Sequence, residues 1–303
     1  VSEGSQEERA AVVALLRVRP GGLSWGEIAA GVLEAGSALA VWHRAVAPAL
    51  AGVPGELDPL TVAAADVTGW TAGGWTFLTI LDPQYPARLR GIHQAPPMLF
   101  GRGTLIADDP AVSVVGSRRA SEQGLRVAAS VARELVRRGL TVISGLALGI
   151  DTAAHRAALD AGGRTVAVIG TGISRVYPAQ NRELQEKIAA SGLVLSQFWP
   201  DAPPQARNFP IRNATMSGYG LATVVAEAGE HSGARIQARL AVEHGRPVIL
   251  TAAVAEQNEW ARALVGRPGV HVAASLRAVM AVVDRLIAER AAVGAELARL
   301  VAP

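Results

Sequence analysis

The chain has 303 residues, half of them hydrophobic and 18% charged, with 29 Lys and Arg against 26 Asp and Glu for a formal net charge of +3. At a prior of roughly 150 residues per domain this suggests one large domain plus a smaller one, with ample apolar material for a core. No apolar run approaches the ~20 residues of a membrane-spanning helix, and the opening VSEGSQEERAAV is the reverse of a secretory signal. Cysteine is absent, which excludes disulfides, thiolate metal sites and a cysteine nucleophile. These features together lead us to expect a cytoplasmic protein without a membrane partner.

Taken in chain order, residues 1–75 read as a small all-helical domain punctuated by Gly and Pro. Helices are expected over Glu7 to Val18, after Leu23 with Ser24 as N-cap, over Ala38 to Leu50, and over Pro59 to Trp70. Trp25, Trp42 and Trp70 are expected to pack this bundle together. Residues 76–110 carry Pro83, Pro86, Pro96 and Pro97 and read as an extended connecting segment. From Ala111 the pattern changes to short Val- and Ile-rich runs, at 112–115, 141–144, 165–169, 194–197, 223–226, 248–250 and 270–273, alternating with helical stretches. Such alternation predicts an α/β domain over 111–290, a doubly wound and mainly parallel sheet with helices on both faces. An apolar stripe through Leu276, Val279, Val283, Leu286 and Ile287 predicts a last helix that covers the core or forms an interface, with 291–303 as its end.

The candidate site follows from where those strands end, since parallel sheets bind ligands where strand carboxyl ends meet helix N-termini. The first run leads into Gly116, Ser117, Arg118 and Arg119, with Ser121 placed to cap a helix from Glu122. This reads as a phosphate cradle, with exposed N–H groups, a helix dipole and two arginines, although an ordinary strand-to-helix turn explains it equally well. It is neither a P-loop nor a G-x-G-x-x-G fingerprint. The second run ends in Gly145 and Gly149, the third in Gly172, and all should lie on the same sheet edge. Asp151 sits where it would cap the helix holding His155, which is expected to be hydrogen-bonded into the scaffold rather than to act as a base. Arg212 and Asn213 follow Phe209 and Pro210, with Asn213 a candidate N-cap and Phe209 either core or a face for a base. Beyond Glu227, which would orient backbone donors or Arg212, Ser232 and Gly233 open another helix at a strand end, a further anion seat. No metal-ligand spacing and no nucleophile elbow occurs, so neither cofactor nor metal is expected.

Taken together, the motifs YPARLRGI, VVGSRRAS, VISGLALGIDTAAHRAAL, TVAVIGTGISRVYPAQNREL, FPIRN and VVAEAGEHSGA resemble the DNA-processing protein A (DprA/Smf) family over roughly residues 77–245. The resemblance implies a Rossmann-like domain with a SAM-like helical domain before it. It also implies a non-catalytic homodimer that binds single-stranded DNA and helps load the recombinase RecA during natural transformation. Carried over by motif, the DNA-contacting candidates are Gly116, Ser117 and Arg118, Gly145 and Gly172, Asn181, and Arg212 with Asn213. Ala179 stands where many members carry a lysine, a contact Arg175 or Arg182 could replace. Two other readings stay open: a nucleotide-binding sensor, and a phosphoribohydrolase of the LOG type, against which EAGEHSGA in place of Pro-Gly-Gly-x-Gly-Thr argues.

Overall fold

The computed structural model describes residues 3–46 and 58–300, so the end of the helix expected over 38–50 lies outside the described residues. Within them a nine-stranded sheet runs in the order β1-β2-β6-β5-β4-β3-β7-β8-β9. The strands are β1 (Thr76–Thr79), β2 (Met98–Gly103), β3 (Ala111–Gly116), β4 (Thr141–Ser144), β5 (Thr165–Val168), β6 (Leu193–Ser196), β7 (Ala222–Glu227), β8 (Val248–Thr251) and β9 (Val270–Ala273). All seven expected runs became parallel neighbours, β6 through β9. Residues 112–115 illustrate why the runs were continuous rather than alternating: both faces of β3 are covered, and every one is buried.

The stretch 76–110, expected as a connector, supplies β1 and β2 instead. They pair antiparallel with each other, and β2 pairs antiparallel with β6, extending the sheet at one edge. Pro96 and Pro97 stand just before β2 begins and Pro83 and Pro86 lie beyond β1, so neither ladder loses an N–H.

The helices Glu122–Arg137, Ile150–Asp160 and Leu276–Leu300 share one apolar cluster with the sheet. Asn208–Tyr219 and Gly233–Glu243 belong to a second, which also takes in the N-terminal helices. The stripe of the last helix covers the core at Val279 and Val283, which are buried, whereas Val293 is 59% exposed. The crossovers after β3 and β7, the central neighbours, leave toward opposite edges of the sheet. That reversal opens a crevice at their carboxyl ends.

The N-terminal helices Glu3–Val18, Trp25–Ala35, Ala38–Ala45 and Pro59–Ala72 form near their expected places, the first starting four residues early and the third capped at Val46, short of the expected Leu50. Ser24 and Glu27 complete a capping box. The three tryptophans pack in the bundle's apolar cluster as expected, with partners that lie outside the bundle. Trp42 is buried in the core, but Trp25 meets Trp199 edge-on at 5.5 Å, and Trp70 packs against Phe77 (5.2 Å) and Phe100 (4.9 Å) on the sheet edge. Aromatic burial therefore fixes the bundle to the sheet. A buried ion pair from Arg9 to Asp82 at 2.6 Å adds a directional tie. Among the described residues no helix is long and apolar enough to cross a membrane.

Candidate functional site

Gly116 ends β3 against the Glu227 carbonyl and the Ile150 side chain, a contact that leaves no room for a Cβ. Ser117 donates its N–H to Glu227 O at 2.8 Å, and its hydroxyl accepts the Arg119 N–H at 3.1 Å. Its carbonyl accepts the Ile150 N–H at 3.2 Å. Gly149, with φ of +77°, lies directly against the Ser117 and Arg118 carbonyls, so the two turns are locked together. Arg118 and Arg119 project from this rigid base and are exposed.

The helix start beyond them is not the open anion seat the sequence suggested. Ser121 does cap it, accepting the Gly124 N–H at 3.0 Å. However, the Glu227 carboxylate already accepts the Ser121 N–H at 2.9 Å and the Ser121 hydroxyl. The chain fills its own seat with a negative charge, which the helix dipole favours. A Cβ at Gly124 would strike that carboxylate.

The second and third turns are likewise turned inward. Asp151 does not cap its helix: its carboxylate accepts the N–H groups of Gly145 (3.1 Å) and Ala147 (3.2 Å). Asn181 is buried, and its amide donates to Leu146 O and Thr152 Oγ1, both at 2.9 Å. It braces Leu146, whose φ of +57° is uncommon for a branched residue. Gly172 donates its N–H to Ala202 O at 2.9 Å and sits hard against the Trp199 and Pro200 carbonyls. Arg175 is exposed and donates to Asp201 O at 3.2 Å. None of Gly145, Gly149, Gly172, Arg175 and Asn181 lines the crevice; they hold the turns that shape it.

The Asn208–Tyr219 helix begins five residues before Asn213, so Asn213 is no N-cap. It lies buried inside the helix, its amide 3.5 Å from Gly233 O. Arg212, also buried, donates from Nη1 to Gly145 O at 2.6 Å and to Val168 O at 2.7 Å. It thus clamps the ends of β4 and β5 to the helix that crosses above them. Burial lowers its pKa to about 10; the Asp151 charge opposes that shift and Arg118 adds to it. Burial raises the Asp151 carboxyl, with Arg212 opposing. His155 is inaccessible, its Nδ1 2.7 Å from Thr165 Oγ1. Burial, then the Arg212 charge, hold its pKa down at about 3, so the ring is neutral at physiological pH.

What remains open is a crevice of about 740 Å³ walled by Gly116 to Arg119, by Phe209, Pro210, Arg212 and Asn213, and by Gly229 to Ala234 with Gln237. Ser232 accepts the Ala234 N–H at 3.2 Å and starts the Gly233–Glu243 helix at its rim. Over Phe209, the Arg118 guanidinium sits 5.1 Å from the ring centroid, and the Tyr177 ring lies 5.8 Å away at 41°. Tyr177, 40% exposed, lies beside half-buried Phe209, which lines the crevice together with Arg118 and the helix start at Ser232 and Gly233. Arg212 Nε and Gln237 Oε1, both buried beside it, have no hydrogen-bond partner among the described residues. Such an arrangement suits an anionic, planar ligand, since guanidinium groups and backbone N–H groups attract negative charge and a ring face accepts a flat group. Tyr177 was missed because nothing local in the sequence marks a residue whose role depends on a ring 32 positions later.

Comparison with known proteins places this geometry in a family. The sequence model described as DNA recombination-mediator protein A matches residues 76–267. Protein Smf of Synechocystis is 44% identical over 177 residues, covering 57% of this chain and 44% of that protein. The chain thus spans less than half the length of that relative. The crystal structure of DNA processing protein A from Streptococcus pneumoniae superposes with a TM-score of 0.64 at 31% identity, covering 91% of this chain and 95% of that one. DNA processing protein A from Helicobacter pylori, whose structure was described for its single-stranded DNA binding mode, gives a TM-score of 0.62 at 22% identity over 70% of this chain and 96% of that one.

Proposed function

Because this chain belongs to the DNA recombination-mediator protein A family, we propose that it binds single-stranded DNA in the crevice at the carboxyl ends of β3 and β7. The observation that carries this reading is the grouping of Arg118, Phe209 and Tyr177 beside the open helix start at Ser232 and Gly233. Phosphates sit on Arg118, Arg119 and the N–H groups near Gly233, while Gly116 and Ser117 line the crevice beneath them. A base stacks on Phe209. Arg212 and Asn213 act from behind, fixing the walls. Recognition of this kind favours an unpaired strand, because a base must leave its neighbours to reach a ring. It carries little sequence preference, since phosphates and ring faces are common to all bases.

The proposal extends to a cytoplasmic mediator without chemistry of its own, working as a homodimer that shields incoming strands and passes them to RecA in recombination and DNA uptake. Its support on the first point is that Asp151 and His155 are both buried and occupied by the scaffold. Fluorescence anisotropy with labelled oligo-dT tests the site. Arg118→Ala removes an exposed guanidinium without touching the core, and should weaken binding about tenfold. An unchanged affinity in the folded variant would place the strand elsewhere.

A further inference from the structure

A second and larger concavity, about 1110 Å³, lies between the N-terminal helices and the sheet. Its walls include Trp25, Trp70 and Trp199, all half-buried. Trp25 meets Trp199 at 84°, and Trp70 meets it at 44° with 6.2 Å between centroids, so neither ring stacks flat on Trp199. Instead the Arg17 guanidinium lies over that indole at 5.2 Å. Arg19 and Arg207 also line the groove, as do Asp201 and Asp66, the latter paired with Arg17 at 2.6 Å. The opening exceeds the range of about 300–1,000 Å³ that usually serves one small molecule.

The groove and the crevice flank the same helix start. Arg207 and Asn208 face the groove, while their chain neighbours Ala206 and Phe209 face the crevice. We propose that this groove takes further nucleotides of the strand held in the crevice, with phosphates on Arg207 and Arg17 and a base against Trp199. The proposal rests on the crevice reading for its first contact, yet it makes a separate claim: binding lengthens into the junction with the helical domain.

The test compares a short oligo-dT of roughly 6 nucleotides with one of roughly 15, a span typical of single-strand sites. Both are titrated into the full chain and into the Arg17→Ala/Arg207→Ala variant, both sites of which are exposed. With the wild-type chain, the longer oligonucleotide should bind about tenfold or more tightly, as one further stacked base implies. The variant should lose most of that gain while keeping its affinity for the short one. Tryptophan emission gives an independent reading, because three tryptophans line the groove and none lines the crevice. It should be quenched by the long oligonucleotide and not by the short one. A length gain that survives in the variant, or long-oligonucleotide binding that leaves tryptophan emission unchanged, overturns the proposal. A groove that instead holds a protein segment gives the second of these results. Loss of short-oligonucleotide binding in Arg118→Ala reads the crevice alone, so the two claims can fail separately.

Discussion

Replacing Gly145 by alanine should be among the most damaging single-methyl changes in this chain. A Cβ at that position would overlap the Arg212 guanidinium, whose nearest atoms cannot retreat because Nη1 is anchored on Gly145 O at 2.6 Å and Val168 O at 2.7 Å. Displacing the side chain breaks both bonds and leaves two carbonyls unpaired beneath the crossing helix. Hydrogen bonds to a charged donor contribute about 1.5–3 kcal/mol each, so the loss should be about 3–6 kcal/mol. The assay is chemical denaturation of four chains: wild type, Gly145→Ala, Arg212→Ala and the double variant. If the clash is the whole cause, Gly145→Ala should be nearly neutral once Arg212 is alanine, giving a coupling energy of about 3 kcal/mol or more. Equal destabilisation by Gly145→Ala in both backgrounds would refute the clamp. The same reasoning marks Arg212→Ala as a fold-weakening change and a poor probe of ligand contact.

Other outcomes follow from the same geometry. The His155 pKa, held at about 3 against an ordinary 6.5, means the unfolded chain takes up a proton that the folded one refuses. Stability should therefore fall as pH drops from about 6.5 toward 3, by about 3 kcal/mol at a point two units below the ordinary value. His155→Gln should flatten the dependence of denaturation midpoint on pH over that window, and an unaltered profile would assign the acid sensitivity to other groups. Glu227→Ala should lower the melting temperature through loss of about 1 kcal/mol of capping, without weakening oligonucleotide binding. A matched loss of affinity would show that this carboxylate serves the ligand. Phe209→Leu should cost about 1–3 kcal/mol of oligo-dT affinity, read by anisotropy, whereas retained affinity would remove the ring from the site.

The sheet was legible where burial on both faces made the strands continuous runs, as in Val112 to Val115. It was illegible at β1 and β2, where four residues of TFLT and a strand following Pro96 and Pro97 look like a connector. β2 pairs with β6, some ninety residues on, and β1 pairs with β2 alone among the described strands, so no local pattern announces either strand. The site was legible as a set of glycine-rich turns on one edge. Which turns keep free N–H groups was not, because that depends on distant side chains. Glu227 fills the helix start 106 positions before it in sequence, Asp151 takes the Gly145 N–H, and Ala202 takes that of Gly172. The glycines at 124 and 145 serve internal side chains, Glu227 and Arg212, so glycine alone does not mark a ligand.

The central claim, that an unpaired strand occupies the crevice, is tested most directly by anisotropy with labelled oligo-dT and a matched duplex at two salt concentrations. The account predicts preference for the single strand. It also predicts a log–log salt slope of about −0.7 for each phosphate neutralised, hence about −1.4 for a strand held by Arg118 and Arg119. Equal binding of strand and duplex, or no binding of either, would contradict it.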